Sequence, residues 1–273
     1  MKTSEINDRL TALARTSRAS SPEERLPFEI EDRVVGSVTP ADARLLAREV
    51  PGVELTDDSL SVLPVCAPDA PAVLEAMALV LKQAGRIIRW RDELLPVCAD
   101  DGTVMGKLER GCVRTLGVRT FAVHLVGLIA EKDTSDFWLQ RRAADKDVDP
   151  NMLDTLAGGL VGMSADGREM EAFGPALTRE VQEEAGLNPD QYSLPISAGT
   201  WRVNAPVDGG YMVEDLMVWH ATLAKNQTPV NQDGEVSEFM RVSQDELIDL
   251  IDRQKLTREA AIVSLLAMQN LDR

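Results

Sequence analysis

Residues 179–187 read Arg-Glu-Val-Gln-Glu-Glu-Ala-Gly-Leu, and this run constrains the chain more than any other stretch. At 100° per residue, Glu180, Glu183 and Glu184 fall within an arc of about 100° on a helix. Leu177, Val181 and Ala185 fill the adjacent arc and face a core. Gly186 permits the left-handed turn that ends a helix, so the spacing predicts one from about Pro175 to Ala185. Like charges one turn apart repel by roughly 0.2–0.5 kcal/mol per pair. A solvated face tolerates that repulsion, whereas a divalent cation reverses its sign. Magnesium takes hard oxygen ligands and keeps several waters, so a few carboxylates plus the phosphates of a substrate suit it.

The charge balance agrees with either role for those glutamates. The chain has 273 residues, 29 Lys and Arg, and 45 Asp and Glu, for a net charge of −16. Residues 1–117 carry 15 basic and 19 acidic groups, and residues 118–273 carry 14 and 26. A surface of this sign repels phosphate backbones, which argues against nucleic acid as a general partner. The longest apolar stretches, such as Val123 to Ala130, are too short to span a bilayer. The opening MKTSEINDRL lacks the apolar core of a secretory signal. Cys66, Cys98 and Cys112 form no Cys-x-x-Cys pair, which disfavours a zinc ribbon or a disulfide framework. Buried structural thiols and a cytoplasmic location are the expectation.

Periodicity divides the chain into two mixed α/β parts, 1–117 and 118–273. In the first, helices are expected at Ile6 to Ala14, Pro40 to Val50 (capped by Thr39), Ala70 to Ala84 and Lys107 to Leu116. Phe28 to Val38 reads as a strand or hairpin around Val34-Val35-Gly36, and Leu94 to Val97 as a short strand. In the second, Thr120 to Glu131 pairs with Phe137 to Arg141 across a turn at Lys132 to Ser135. Further strands are expected at Ile196 to Val203, Tyr211 to Leu223 and Glu238 to Val242. Two helices, Gln244 to Asp252 and Thr257 to Asn270, finish the chain. Strands and helices do not alternate strictly, which fits a mixed sheet packed by helices better than a doubly wound parallel fold.

The run at 179–187 resembles the signature of the Nudix hydrolases, Gly-x5-Glu-x7-Arg-Glu-U-x-Glu-Glu-x-Gly-U, where U is a bulky aliphatic. Glu171 stands eight positions before Arg179, which completes the pattern from Glu171 to Leu187. The position six before Glu171 is Ala165 rather than Gly. Gly158-Gly159 resembles the glycine pair that opens the motif, and a six-residue insertion within Leu160 to Met170 accounts for the offset.

The resemblance implies an α/β/α sandwich with a mixed sheet, preceded by a smaller α/β domain over 1–117. It implies that Glu180, Glu183 and Glu184 bind Mg2+ or Mn2+, with the Gly159 carbonyl as a further ligand. Arg179 and Glu171 would form an internal ion pair that steadies the motif, and Gly186 would end its helix. The implied reaction is attack of water on a phosphorus of a small-molecule diphosphate, in the MutT-like manner. Relatives often draw the carboxylate that accepts the proton of water from a separate loop. Here Asn231 to Glu238 is the source, with Glu235 the first choice and Glu238 the second, against the alternative of an ordinary polar turn.

Outside the motif, Thr120 to Gly127, Trp138-Leu-Gln-Arg-Arg142, Leu153-Asp154 and Asn231 to Phe239 resemble one Nudix subfamily. One fungal relative in it is fused to thiamine pyrophosphokinase. Val34-Val35-Gly36 and Trp90 to Leu94 extend the likeness into the first part. This implies hydrolysis of thiamine diphosphate, or its oxidised analogues, to the monophosphate and phosphate. Thr155 stands where that subfamily has Asn. Arg141 or Arg142, together with Lys146, is either a phosphate clamp or a solubilising loop. His124 is either a contact to a ligand ring or a satisfied strand histidine. The alternative substrates are ADP-ribose, a nucleotide sugar or an oxidised nucleotide. An isopentenyl diphosphate isomerase would need a Cys near the glycine pair, and Leu153 to Gly159 has none. Loss of hydrolysis, as in a binding module, disagrees with three intact glutamates. Monomer and homodimer both remain open.

Overall fold

The computed structural model describes residues 3–17, 24–130, 135–146, 148–224 and 226–271. In chain order the elements are α1 (Thr3–Ser17), β1 (Leu26–Ile30), β2 (Arg33–Val38), α2 (Pro40–Glu49), β3 (Val53–Leu55), β4 (Leu60–Val62), α3 (Ala70–Gln83), β5 (Leu94–Cys98) and β6 (Val104–Glu109). They continue with β7 (Arg119–Ala130), β8 (Ser135–Arg142), β9 (Leu153–Asp154), β10 (Ala157–Leu160), α4 (Phe173–Ala185), β11 (Ile196–Val207), β12 (Gly210–Thr222), β13 (Val236–Val242), α5 (Gln244–Asp252) and α6 (Arg258–Leu271).

Two larger sheets result. Strands β1 to β4 form a four-stranded sheet in the order β2-β1-β4-β3, and β5 pairs with β6. The seven-stranded sheet runs β11-β12-β7-β8-β13, with β10 added to β7 and β9 to β8. Only β7 and β12 pair in parallel within it. Residues 121–128 of β7 are all buried, as expected of a strand covered on both faces. Ala122, Val126 and Leu128 pack into one core with residues of α1, α5 and α6, and Phe121, Val123 and Leu125 pack into a second with α4. The sheet is therefore sandwiched between helices, a mixed α/β/α arrangement. Ile6 and Leu10 of α1 lie in the core shared with α6, so the first helix packs on the larger sheet rather than on β1 to β4.

Two local expectations are corrected. Lys107 to Leu116 is not a helix: β6 takes its first part and a single 3-10 turn, Arg110–Cys112, follows. Leu108, Cys112 and Leu116 are spaced as on one helix face and all three are buried, but Leu108 reaches the core from a strand paired to Leu95. The first hairpin turns at Glu31-Asp32, whose φ values of 54° and 57° suit a two-residue turn. Val34-Val35-Gly36 therefore lies inside β2, where a Cβ on Gly36 would come within 2.4 Å of the Leu116 carbonyl. The turn expected at Lys132 to Ser135 falls at residues outside the described set, apart from Ser135.

Strands β7 and β8 pair only from Gly127↔Trp138 to Ala130↔Ser135 and then diverge. The fork they open is filled by β10 alongside β7 and by the two residues of β9 alongside β8. Leu156, between those short strands, is fully buried against Gly127, where a Cβ would meet it at 2.5 Å. This fork positions the candidate site.

Candidate functional site

Helix α4 lies over the fork and ends at Gly186, whose φ of 65° is left-handed. Val181 and Ala185 anchor it in the core. Glu184, about one turn after Val181 and directly before Ala185, is 4% exposed. Its Oε2 accepts hydrogen bonds from the Gly158 backbone N–H at 2.9 Å and from Gln140 Nε2 at 3.0 Å. No cation touches it among the described contacts, and burial pushes its carboxyl up to about 8 against those two donors. Glu180 is packed against Gly159, where a Cβ would fall 2.3 Å from the carboxyl carbon. A side chain at this position would displace that carboxylate from where it now sits. Burial also pushes Glu180 up, and the neighbouring Arg179 opposes the shift.

Arg179 ties the motif together. Its Nη2 donates to Glu171 at 3.1 Å, and its Nη1 donates to Glu180 at 2.7 Å and to Glu183 at 3.1 Å. Glu183 remains about half exposed. The insertion before α4 is a small hairpin: Met163 bridges to Met170, Ser164 N–H donates to the Glu169 carbonyl, and Gly167 turns with a φ of 66°. Glu171 N–H then donates to the Gly162 carbonyl at 3.0 Å, which returns the chain to the start of the excursion. Met170 and Phe173 pack with Cys98 and Val104 of the β5–β6 hairpin, so the first part of the chain walls this loop.

The sequence-derived cations and loop carboxylates pair with one another. Arg141 donates to Glu238 at 3.1 Å and Arg142 to Asp154 at 3.0 Å, while Lys146 Nζ donates to Glu235. Because β8 continues through Arg142, adjacent arginines point to opposite faces. Trp138 and Gln140 share the α4 side with Arg142, whereas Arg141 and Glu238 lie on the other side. Glu235, past the bulge between Val236 and Glu238, is close enough to Glu180 to act on its ionisation. His124 pairs with Gly158, and its alternation with Val123 and Leu125 places it on the face away from α4. Its Nδ1 lies 3.4 Å from Thr155 Oγ1.

The structure thus gathers Glu180, Glu184, Gly158, Gly159 and Glu235 at the fork and leaves Arg141, Glu238 and His124 on the opposite face. Gln140 and Asp154 join the site without having been singled out. The available signal was alternation, which puts a polar Gln140 at an inward-facing strand position. A groove of about 740 Å³ flanks α4 along Pro175, Thr178 and Gln182 and is also lined by Arg179 and Glu183.

Among the described residues, no three His, Cys, Asp or Glu side chains are already converged as a metal cluster. The donor set nevertheless fits a hard divalent cation: carboxylate oxygens on one helix face, a glycine that admits Glu180, and a buried Glu184 with no counter-charge in contact. Among the described residues no helix is long and apolar enough to cross a membrane.

Comparison with known proteins places this geometry in a family. Nudix hydrolase 20, chloroplastic, of Arabidopsis thaliana is 30% identical over 163 residues, covering 59% of this chain and 41% of that protein. Nudix hydrolase 24, chloroplastic, of the same plant is 23% identical over 246 residues, covering 87% of this chain and 65% of that protein. The chain thus spans less than two thirds of the length of either relative. An Ap4A hydrolase of C. elegans superposes with a TM-score of 0.41 at 17% identity, covering 56% of this chain and 96% of that one. The NUDIX domain model matches residues 118–263, more than half of the chain and the whole of the forked sheet's site. The chain belongs to the Nudix family.

Proposed function

We propose that this protein is a divalent-metal-dependent pyrophosphohydrolase whose centre is the fork beneath α4. The observation that carries this reading is the pairing of a buried Glu184, gripped by two donors yet touched by no cation, with Glu180 seated on Gly159 and within electrostatic reach of Glu235. Glu180 and Glu184, with Glu183 and the Gly159 carbonyl beside them, would hold Mg2+ or Mn2+. The bound cation supplies charge neutralisation for the diphosphate and a more acidic water.

The remaining work falls to the chain's own residues. Arg179 keeps Glu180 and Glu183 on one side of the helix and ties them to Glu171. Glu235 accepts the proton as water forms its bond to phosphorus and the bridging P–O bond breaks. Lys146 now holds Glu235. An incoming phosphate competes for that lysine, and the exchange frees the carboxylate where it is needed. Glu238 is placed for the other face of β8 and does not share this role.

For the substrate, we assign thiamine diphosphate or its oxidised analogues, cleaved to the monophosphate and phosphate. The support is that the segments resembling the thiamine-associated subfamily line this same centre: Gln140, Arg142, Asp154 and Glu235 all belong to them. Steady-state kinetics on a diphosphate panel with Mg2+ tests both levels. The expected result is at least tenfold higher kcat/KM for a thiamine-type diphosphate than for ADP-ribose, a nucleotide sugar or an oxidised nucleotide. The opposite preference by tenfold removes the thiamine assignment alone. No turnover of any diphosphate with Mg2+ or Mn2+ removes the hydrolase reading.

A further inference from the structure

Gln140 occupies an inward-facing position on β8 and is 2% exposed. Its neighbours along that face are Trp138 and, across the strands, Phe239 and Asp154. An apolar residue of the same length would satisfy such a position. The amide instead gives its Nε2 to Glu184 at 3.0 Å and leaves its own Oε1 buried with no partner among the described residues. In the ionised form that would bind a cation the Glu184 carboxylate only accepts, and it is then the Nε2 end of the amide that must face it. An orphaned buried acceptor is unfavourable, so the residue is poorly explained by packing alone.

The geometry at Glu184 shows what the contact does. Both donors, Gln140 Nε2 and Gly158 N–H, hold the same oxygen, Oε2. Among the described contacts Oε1 has no hydrogen bond. The two donors come from different strands of the fork, β8 and β10, and clamp the carboxylate from both sides. Two donors on one oxygen restrain the carboxylate and leave the other oxygen without a hydrogen bond among the described contacts.

We propose that Gln140 is a positioning residue that locks Glu184 Oε2 and thereby presents Oε1 to a divalent cation. This rests on the metal-dependent reading of the site. Groups that orient a metal ligand from behind typically change metal affinity or activity by about 10–100-fold when removed.

The test is Mn2+ binding to metal-depleted protein, read by electron paramagnetic resonance of the free ion, with no substrate present. Wild type, Gln140→Met and Gln140→Asn are compared, together with turnover in the wild-type and Glu184→Gln backgrounds. Met keeps the volume and removes both polar atoms; Asn keeps the amide but withdraws the donor, and serves if the Met variant fails to fold. Each substitution is expected to weaken Mn2+ binding about tenfold and lower kcat, with KM for the diphosphate within twofold of wild type. In the Glu184→Gln background the Met substitution should change residual turnover less than twofold, because the residue acts through Glu184. Mn2+ affinity within twofold of wild type in both variants overturns the role of Gln140 alone. Wild-type protein that takes up no Mn2+ overturns the role together with the metal reading beneath it.

Discussion

Two charged regions meet at the fork, and they are balanced in opposite ways. On α4 the carboxylates are crowded and poorly matched: Glu184 is buried with no cation in contact, and one arginine, Arg179, is shared among Glu171, Glu180 and Glu183. At the end of β8 and on the loop that follows it, Arg142, Lys146 and Arg141 each meet one carboxylate, Asp154, Glu235 and Glu238 in turn. The helix face is therefore short of positive charge, while each of these three cations is already paired. A cation is drawn to the first region. An anionic substrate gains a clamp from the second only by displacing a carboxylate. This difference turns an overall net charge of −16 into a site that can hold phosphate.

The contrast breaks most visibly at Glu184. Glu184→Gln removes the carboxylate with the least compensation, and kcat with Mg2+ should fall on the order of 10³-fold, about 4 kcal/mol of transition-state stabilisation. Wild-type turnover in that variant would mean that the acidic face serves only as surface. Next in size is the division between the two loop carboxylates. Glu235→Gln should lower kcat roughly 100-fold, as for loss of a general base, while Glu238→Gln, on the far face of β8, stays within about threefold. Reversed effects would place the base on the wrong side of the sheet for α4.

The loop cations give smaller effects of different kinds. Lys146→Ala should raise KM about tenfold, near 1.4 kcal/mol, with a lesser change in kcat. A fall in kcat with KM unchanged would argue that the lysine does not meet phosphate. Arg142→Ala leaves Asp154 largely buried without its partner, since their side chains are 19% and 12% exposed. Chemical denaturation should show a loss of about 2 kcal/mol, reduced from the fully buried case by that partial exposure. Arg141→Ala breaks a pair that is 36% and 55% exposed and should cost under about 1 kcal/mol.

The acidic helix α4 was legible in the sequence because its motif sets fixed residue types at fixed spacing on a single element. The Arg179–Glu171 pair is formed as the family resemblance implied, whereas the contacts of Arg179 to Glu180 and Glu183 were not expected. The extra length between Gly158-Gly159 and Glu171 was legible in the sequence, and its form as a hairpin closing at Gly162 was not, since it depends on the β5–β6 wall packed beside it. The loop side was legible as composition only. Whether Arg141 or Arg142 faces α4 depends on how far β8 runs. The partnership of Lys146 with Glu235 joins residues 89 positions apart. His124, open in sequence between a ligand contact and a satisfied strand histidine, lies on the face away from α4 beside Thr155, a placement that needs strand parity tied to the helix. Gln140 went unnoticed for a related reason: one polar residue in a strand carries no motif, and its meaning comes from the Glu184 oxygen above it. The strand expected as a helix at 107–116 reflects spacing that two geometries can satisfy.

The central claim is that the under-neutralised face of α4 is the cation site, and the most direct measurement is Mn2+ uptake by metal-depleted wild type and Glu184→Gln side by side. We expect at least one Mn2+ bound per wild-type chain and its loss in the variant, with both proteins folded to the same extent in chelator. Equal uptake by the two proteins would contradict the assignment.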